Sequence, residues 1–177
     1  MATTRILIAG FGGQGILFAG KALAYSGLKV GKEVAWLPSY GPEMRGGTAN
    51  CSVTFSDEQI GSPIVDTPDV LIAMNLPSLE KYYDATEKGG YVIFDSSLIT
   101  KQDTRDDVTT VGIPATKMAS DNGLNGLANM IILGKTVKLT GILTLEQIES
   151  SLSQMVPAKK AELLKNNLKA IELGYNY

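Results

Sequence analysis

A glycine-rich loop near the start of the chain constrains the fold more than any other segment. The loop Gly10-Phe11-Gly12-Gly13-Gln14-Gly15 follows the apolar segment 5–9 and precedes the helix-like segment 16–24. An apolar run of this length is typical of a buried parallel strand, and four glycines in six residues allow a sharp turn. Free N–H groups and the positive dipole end at the start of the helix favour phosphate. The pattern predicts a strand–loop–helix unit with a site for an anionic ligand.

The remainder of the chain alternates between apolar runs typical of strands and segments typical of helices. Segments 32–37 and 48–55 have no helix between them, which predicts a hairpin-like antiparallel insertion. Further strands are predicted at 70–74, 91–95 and 108–113, and helices are predicted after Asn75, from Pro114, from 124 to 139, from 145 to 152 and from 158 to 173. The first helix is expected to stop at 25–27, and Gly134 is expected to let its helix pack closely against the sheet. This alternation predicts a single three-layer α/β/α domain over residues 1–177, with a mostly parallel (mixed) sheet.

Composition and charge exclude several classes of protein. The 177 residues are 44% hydrophobic and 19% charged, which is ordinary for a globular domain. The net charge of −2 gives no support for binding to nucleic acid or to a membrane surface. No apolar run reaches the length of a membrane span, and no signal-peptide pattern precedes the first strand. We therefore expect a cytoplasmic protein.

The counts of cysteine and histidine limit the chemistry further. The sequence contains one cysteine, Cys51, and no histidine. The chain alone therefore has neither a disulfide nor a four-cysteine iron–sulfur cluster, and it lacks the commonest general base and metal ligand. A self-sufficient hydrolase or zinc enzyme is disfavoured, and catalysis by positioning a cofactor is favoured. We expect Cys51 to be an inert buried residue, and Asp95 to cap a turn after its strand.

Three interpretations of the first loop remain. Gly10, Gly12 and Gly15 match the G-x-G-x-x-G pattern of dinucleotide sites, but the second strand does not end in the acidic residue that such sites use. The segment 15–21 matches the start of a P-loop, but Ala22 stands where Mg²⁺ requires a hydroxyl. In the third interpretation, the glycines only allow tight packing of strand against helix.

A second loop at 38–47 changes the balance between these interpretations. It contains two prolines and three glycines, and it follows the neighbouring strand. Two such loops at the carboxyl ends of strands predict a ligand crevice, with Lys21 and Arg45 as its cations.

The two loops together resemble the gamma subunit of the 2-oxoacid:ferredoxin oxidoreductases, which act on pyruvate, 2-oxoglutarate or ketoisovalerate. The resemblance rests on segments 10–15 and 39–47, and it extends to Asp66-Thr67-Pro68-Asp69, Asn75-Leu76-Pro77 and Asn129-Met130-Ile131-Ile132-Leu133-Gly134. It thus covers nearly the whole chain. The resemblance implies a part in the conversion of a 2-oxoacid and coenzyme A to an acyl-CoA and CO₂, with electrons passing to ferredoxin or flavodoxin.

The resemblance also implies a division of labour between subunits. Thiamine diphosphate, Mg²⁺ and the iron–sulfur clusters would belong to alpha, beta and delta (ferredoxin-like) partner subunits. The gamma subunit would help to assemble the complex and complete the coenzyme A site. The absence of a G-D-G segment for thiamine diphosphate and of cluster cysteines fits this division. An exposed apolar patch is expected where the partners dock.

The family's site residues transfer to this sequence as follows. Gly12, Gly13, Gln14 and Gly15 are expected to donate backbone hydrogen bonds to the coenzyme A pyrophosphate. Lys21 and Arg45 are expected to face the anionic nucleotide, where arginine offers paired hydrogen bonds to phosphate. Gly46 and Gly47 would allow close approach, and Thr48 would offer its hydroxyl. No catalytic residue and no metal ligand is expected in this chain.

Two other functions remain open from the sequence. One is a purely structural assembly subunit, whose loops contact only protein. The other is a free-standing dinucleotide-binding protein, which the missing strand-end acid and the absent histidine disfavour.

Overall fold

The described part of the chain forms a six-stranded sheet with helices on both faces. The computed structural model describes residues 3–40, 48–100 and 105–177. The strands are β1 (Thr4–Phe11), β2 (Glu33–Tyr40), β3 (Thr48–Ser56), β4 (Val70–Ala73), β5 (Tyr91–Asp95) and β6 (Thr109–Ile113). The helices are α1 (Ile16–Lys29), α2 (Leu76–Tyr82), α3 (Ala115–Asp121), α4 (Ala128–Thr140), α5 (Leu145–Met155) and α6 (Ala161–Asn176), with a 3₁₀ turn at Ala158–Lys160.

The sheet is mixed, in the order β2-β3-β1-β4-β5-β6. The pairs β1–β4, β4–β5 and β5–β6 are parallel, whereas β3 is antiparallel to both β1 and β2. The α/β fold class and the predicted hairpin are therefore confirmed. The hairpin is not a peripheral insertion, because β3 forms a full ladder with β1 from Thr4–Phe55 to Phe11–Thr48.

Each face of the sheet has its own apolar core, because side chains alternate between faces along a strand. Ile6 and Ile8 of β1 pack in the larger core, which includes residues of α1, α3, α4, α5 and α6. Leu7, between them, packs in the smaller core with Leu79 of α2. The two cores account for the three layers, with most of the helical mass on one face.

A topological switch lies at the centre of the sheet, between β1 and β4. The helix after β1 packs on the face of Ile6, whereas the helix after β4 packs on the face of Leu7. Because the two connections leave adjacent parallel strands in opposite directions, a crevice opens at their carboxyl ends. The predicted strand–loop–helix unit borders this crevice.

Several predicted boundaries were wrong, each for a packing reason. The segment 38–40, predicted as loop, is the end of β2, and the edge position of that strand accommodates Pro38 without an N–H group. The first helix continues past the predicted stop at 25–27, because Gly27 packs under the ring of Phe55 rather than ending the helix. The helix predicted from 124 begins at Ala128, after two glycines with positive φ at 123 and 126.

Glycines form the contact between α4 and α6. A Cβ at Gly134 would overlap the carbonyl of Ile171, and a Cβ at Gly174 would overlap the carbonyl of Ile131. The sequence predicted that Gly134 packs closely against the sheet. Close packing is present, but its partner is the backbone of α6 rather than the sheet.

We predict that Gly174→Ala destabilises the chain although alanine is the better helix former. Alanine normally stabilises a helix interior by about 0.5–1 kcal/mol over glycine. Here its methyl group meets a backbone carbonyl that has no rotamer to change, so we expect a net loss of about 2 kcal/mol. The melting temperature of the purified chain should fall by about 4–8 °C.

Gly61→Ala is the matched control, because among the described residues only its own chain neighbours lie within 4 Å of the added Cβ. Its melting temperature should match that of the parent chain. A Gly174→Ala variant as stable as the Gly61→Ala variant would contradict the close helix–helix contact.

Candidate functional site

The first loop is a tight turn that requires glycine at two positions. β1 ends at Phe11, and α1 begins at Ile16. Between them, Gly13 has φ of 94° and Gly15 has φ of 73°, both in the left-handed region that side chains disfavour. The loop therefore passes from strand to helix within four residues.

Gln14 braces this turn with its side chain. Its Oε1 accepts a hydrogen bond from the backbone N–H of Phe11 at 2.7 Å, and its Nε2 donates to the carbonyl of Met74 at 2.9 Å. Its backbone N–H donates to the carbonyl of Phe11 at 3.2 Å. The Gln14 amide predicted to face pyrophosphate is thus already engaged within the turn. The side chain instead ties the loop to the end of β4, which the sequence did not predict.

The other loop amides have no such engagement. Among the described residues, the N–H groups of Gly12, Gly13 and Gly15 donate no hydrogen bond. Helix α1 also begins without a side-chain cap at its N-cap residue, Gly15. The loop and the first turn of α1 therefore offer donors and a positive dipole end together.

A second helix N-terminus converges on the same loop. Nδ2 of Asn129 donates to the carbonyl of Gly15 at 3.0 Å, across 114 positions of the sequence. Asn129 is the second residue of α4, whose N-cap residue, Leu127, provides no side-chain hydrogen bond. The sequence predicted one positive helix end at this site, and the fold supplies two.

The start of the neighbouring helix α3 is occupied by a carboxylate of this chain. Oδ1 of the fully buried Asp95 accepts a hydrogen bond from the N–H of Ser97 at 3.0 Å, and Oδ2 accepts from the N–H of Thr116 at 3.1 Å. The hydroxyl of Thr116 also donates to Oδ2. The expected turn-capping role of Asp95 is confirmed, and its carboxylate fills the start of α3 rather than facing a ligand.

A cleft of about 420 Å³ lies beside the loop, at the carboxyl ends of the strands. It is lined by Gly13, Gln14, Met74, Leu98, Thr116, Ala119, Ser120, Asn125, Gly126 and Ala128. At Gly13 and Gly126, no atom of the described residues lies within 4 Å of the place where a Cβ would stand. The cleft therefore lies between the starts of α1 and α4, at the topological switch, where α/β sheets bind ligands.

The remaining predicted site residues lie at different distances from this cleft. Thr48 is exposed and pairs with Phe11 across the β1–β3 ladder, so it adjoins the loop on the side away from β4. Lys21 is exposed on α1, about 7.5 Å along the helix axis from Ile16. Arg45, Gly46 and Gly47 lie outside the described residues.

Cys51 is buried beneath α1. Its Sγ occupies the space where Gly20 lacks a Cβ, and its thiol donates to the carbonyl of Ile16 at 3.5 Å. Burial raises the pKa of the thiol to about 12. The expected burial of Cys51 is confirmed, and its inertness stays a prediction.

Three large apolar side chains are exposed near the mouth of the cleft. Phe11 ends β1, Leu76 follows β4 and Leu98 follows β5, and their exposed fractions are 39%, 41% and 52%. They therefore follow three neighbouring strands at the same edge of the sheet.

The arrangement can be compared with known proteins. Residues 5–177 match the family described as pyruvate ferredoxin/flavodoxin oxidoreductase. The chain belongs to this family. The resemblance to its gamma subunits is also confirmed by a crystal structure of the keto/oxoacid ferredoxin oxidoreductase gamma subunit from Geobacter sulfurreducens. That structure is 30% identical, has a TM-score of 0.82, and matches over 98% of this chain and 96% of its own.

Relatives differ in length and in the acid for which they are named. The ketoisovalerate oxidoreductase subunit VorA of Methanothermobacter thermautotrophicus is 40% identical over 173 residues, which are 96% of this chain but 35% of that protein. The 2-oxoglutarate synthase subunit KorC of Methanocaldococcus jannaschii is 38% identical over 174 residues, 97% of this chain and 91% of that protein. The chain thus spans about a third of VorA and nearly all of KorC.

A larger solved enzyme contains the same fold. The 2-oxoglutarate:ferredoxin oxidoreductase of Magnetococcus marinus, solved with 2-oxoglutarate, coenzyme A and succinyl-CoA, is 28% identical with a TM-score of 0.89. It matches over 99% of this chain and 31% of its own. In the described part of the present chain, no helix is long and apolar enough to span a membrane.

We predict that Cys51 resists alkylation in the folded chain, because a thiol with a pKa of about 12 holds almost no thiolate at pH 8. Iodoacetamide at pH 8 should leave the native mass unchanged by mass spectrometry. The same reagent in denaturant should add one carbamidomethyl group. Rapid modification of the native chain would contradict the burial of Cys51 beneath α1.

The same shift predicts a pH dependence of stability. The folded thiol keeps its proton above pH 9.0, the ordinary thiol pKa, whereas the unfolded thiol loses it. The parent chain should therefore lose stability between pH 9 and 10, by up to about 1.4 kcal/mol more than Cys51→Ala does over the same interval. Urea unfolding at the two pH values measures this difference, and equal slopes for the two proteins would contradict the shift.

Proposed function

We propose that residues 1–177 act as the gamma-type domain of a thiamine-diphosphate-dependent 2-oxoacid:ferredoxin or flavodoxin oxidoreductase, in which they complete the coenzyme A site and help assemble the complex. The observation that carries the proposal is the convergence of two uncapped helix N-termini on one glycine loop beside the switch-point cleft. The coenzyme A in the related Magnetococcus enzyme supports the choice of ligand.

The residues present fit the pyrophosphate of coenzyme A. Backbone donors at Gly12, Gly13 and Gly15 and two positive helix ends suit a doubly charged anion. No atom of the described residues fills the place of a Cβ at Gly13, so the anion can approach the backbone there. Gln14 supports the loop through its side chain. When bound, coenzyme A supplies the thiol that accepts the acyl group.

The cationic and flanking residues complete the proposed site. Lys21 and Arg45 offset the charge of the nucleotide, Gly46 and Gly47 allow close approach, and Thr48 offers a hydroxyl. The adjacency of Thr48 to the loop through Phe11 supports its inclusion.

Other components of the reaction belong to partner chains in this proposal. The alpha, beta and delta subunits hold thiamine diphosphate, Mg²⁺ and the iron–sulfur clusters, and ferredoxin or flavodoxin accepts the electrons. Two relatives with similar identity to this chain are named for different 2-oxoacids, ketoisovalerate and 2-oxoglutarate. The first acid has a branched apolar side chain, and the second is a dicarboxylate. Selection of the 2-oxoacid is therefore assigned to the partner chains.

A purely structural assembly subunit is the second candidate. The exposed side chains of Phe11, Leu76 and Leu98 favour it, because apolar groups grouped at one edge are typical of protein contacts. A free-standing dinucleotide-binding protein is disfavoured by the sheet order. The antiparallel strand β3 lies beside β1, in the place where dinucleotide folds put the strand that ends in the ribose-binding acid.

We predict that Lys21→Ala and Arg45→Ala each raise the KM for coenzyme A in the assembled complex. Loss of a charge-assisted hydrogen bond to phosphate corresponds to a rise of about tenfold or more. The KM for the 2-oxoacid should not change. Initial rates of 2-oxoacid-dependent dye reduction at varied coenzyme A measure both constants.

Lys159→Ala is the matched control, since Lys159 is exposed in the 3₁₀ turn before α6. It should leave both constants unchanged. If Lys21→Ala and Arg45→Ala weaken association of the complex in native mass spectrometry and leave the KM for coenzyme A unchanged, the assembly role replaces the proposal.

A further inference from the structure

Asn129 links the start of α4 to the glycine loop by a close contact with Gly15. A Cβ at Gly15 would overlap Nδ2 of Asn129 and come within 2.9 Å of its Cγ. The amide of Asn129 therefore occupies the space that the missing side chain leaves. Its orientation follows from the contact, because the carbonyl of Gly15 accepts a hydrogen bond only from the NH₂ end.

The contact is not needed to satisfy the carbonyl of Gly15. That carbonyl already accepts the first helical hydrogen bond of α1, from the N–H of Ala19 at 3.1 Å. Removal of the Asn129 side chain would leave no unpaired group on the loop. The contact between Asn129 and Gly15 therefore serves to fix the position of the loop, because four glycines give the loop unusual conformational freedom.

The side chain of Asn129 is also poorly satisfied for a buried amide. It is 3% exposed, and its Oδ1 has no hydrogen-bond partner among the described residues. A buried polar atom without a partner costs free energy that an apolar side chain would avoid. Stability alone therefore does not explain an asparagine at this position. The hydrogen bond that fixes the Gly15 carbonyl does explain it.

Helix α4 gives Asn129 a rigid base. Its apolar side chains Met130, Ile131 and Leu133 are fully buried, and the glycine contact at Gly134 and Gly174 presses α4 against α6. The position of Asn129 is thus set by the core, and Asn129 transmits that position to Gly15.

We propose that Asn129 is a positioning residue of the coenzyme A site, which rests on the function proposed above. By holding the carbonyl of Gly15, it fixes the peptide unit between Gly15 and Ile16. It thereby anchors the end of the loop that carries the N–H groups of Gly12, Gly13 and Gly15 and keeps the two helix N-termini together at the anion. It acts through the loop and contacts no reacting atom.

The test uses Asn129→Ala in the assembled complex. The KM for coenzyme A should rise about fivefold or more, as expected for one lost hydrogen bond, while the KM for the 2-oxoacid and kcat stay within twofold. The Kd for coenzyme A, measured by calorimetry without 2-oxoacid, should rise by the same factor. This binding measurement does not depend on turnover.

Asn167→Ala is a matched control. Asn167 is 1% exposed, its Nδ2 donates to the carbonyl of Leu163 at 2.8 Å, and its Oδ1 also lacks a partner among the described residues. It lies on α6 and makes no described contact with the glycine loop. Its replacement should lower the melting temperature and leave the Kd for coenzyme A unchanged.

A second variant covers the case in which alanine prevents folding. Asn129→Asp keeps the size of the side chain but replaces the donor with a carboxylate oxygen facing the carbonyl of Gly15. The Kd for coenzyme A should rise more than in Asn129→Ala, because negative charge is added beside the anion. A folded Asn129→Asp complex with the parent Kd would overturn the proposal.

The outcomes separate this inference from the function on which it rests. If Lys21→Ala and Arg45→Ala weaken binding of coenzyme A but Asn129→Ala lowers only the melting temperature, Asn129 is structural and the proposed function stands. If none of the three variants changes the Kd, the proposed coenzyme A site itself fails. Equal effects of Asn129→Ala and Asn167→Ala on the Kd would also overturn the positioning role.

Discussion

Two side-chain amides hold the glycine loop on which the rest of the site depends. Gln14 ties the loop to the carbonyl of Met74 at the end of β4, and Asn129 ties the carbonyl of Gly15 to the start of α4. A loop rich in glycine gains close approach to a ligand at the cost of conformational freedom. The two amides restrict the loop without adding a Cβ to its glycines. The loop therefore has a fixed position and still allows close approach to its backbone.

Neighbouring helices differ in whether a side chain accepts the backbone N–H groups at their start, and this difference leaves free donors beside the cleft. α2 is capped by Asn75, and the buried carboxylate of Asp95 fills the start of α3. α1 and α4 have no side-chain cap, and the Asn129–Gly15 contact brings their first turns together. Uncapped helix ends cost stability unless something accepts their hydrogen bonds. Of the helix starts beside the cleft, that of α3 is filled by Asp95, whereas those of α1 and α4 have no side-chain cap at their N-cap residues.

Local sequence patterns predicted the parts of the fold that local physics determines. The run 5–9 and the glycines after it located β1 and α1, because buried strands and left-handed turns have strong composition signals. Pro38 was misassigned because an edge strand tolerates proline, and edge status depends on the whole sheet. Gly134 signalled close packing but not its partner, since α6 is far along the chain. Asn129 belonged to a recognised segment, yet its role required a contact across 114 residues.

The dependence of the site on distant packing follows from the same contacts. The loop is positioned by Asn129, Asn129 by α4, and α4 by the glycine contact with α6. A change at Gly174 that displaces α4 therefore acts on the amides of the loop although no residue of α6 adjoins them. Because packed helices shift as units rather than deform, such a change should reach the loop as a displacement of Asn129. The contact between Gly134 and Gly174 is thus linked to the glycine loop through Asn129, although the two glycines lie far from that loop in the sequence.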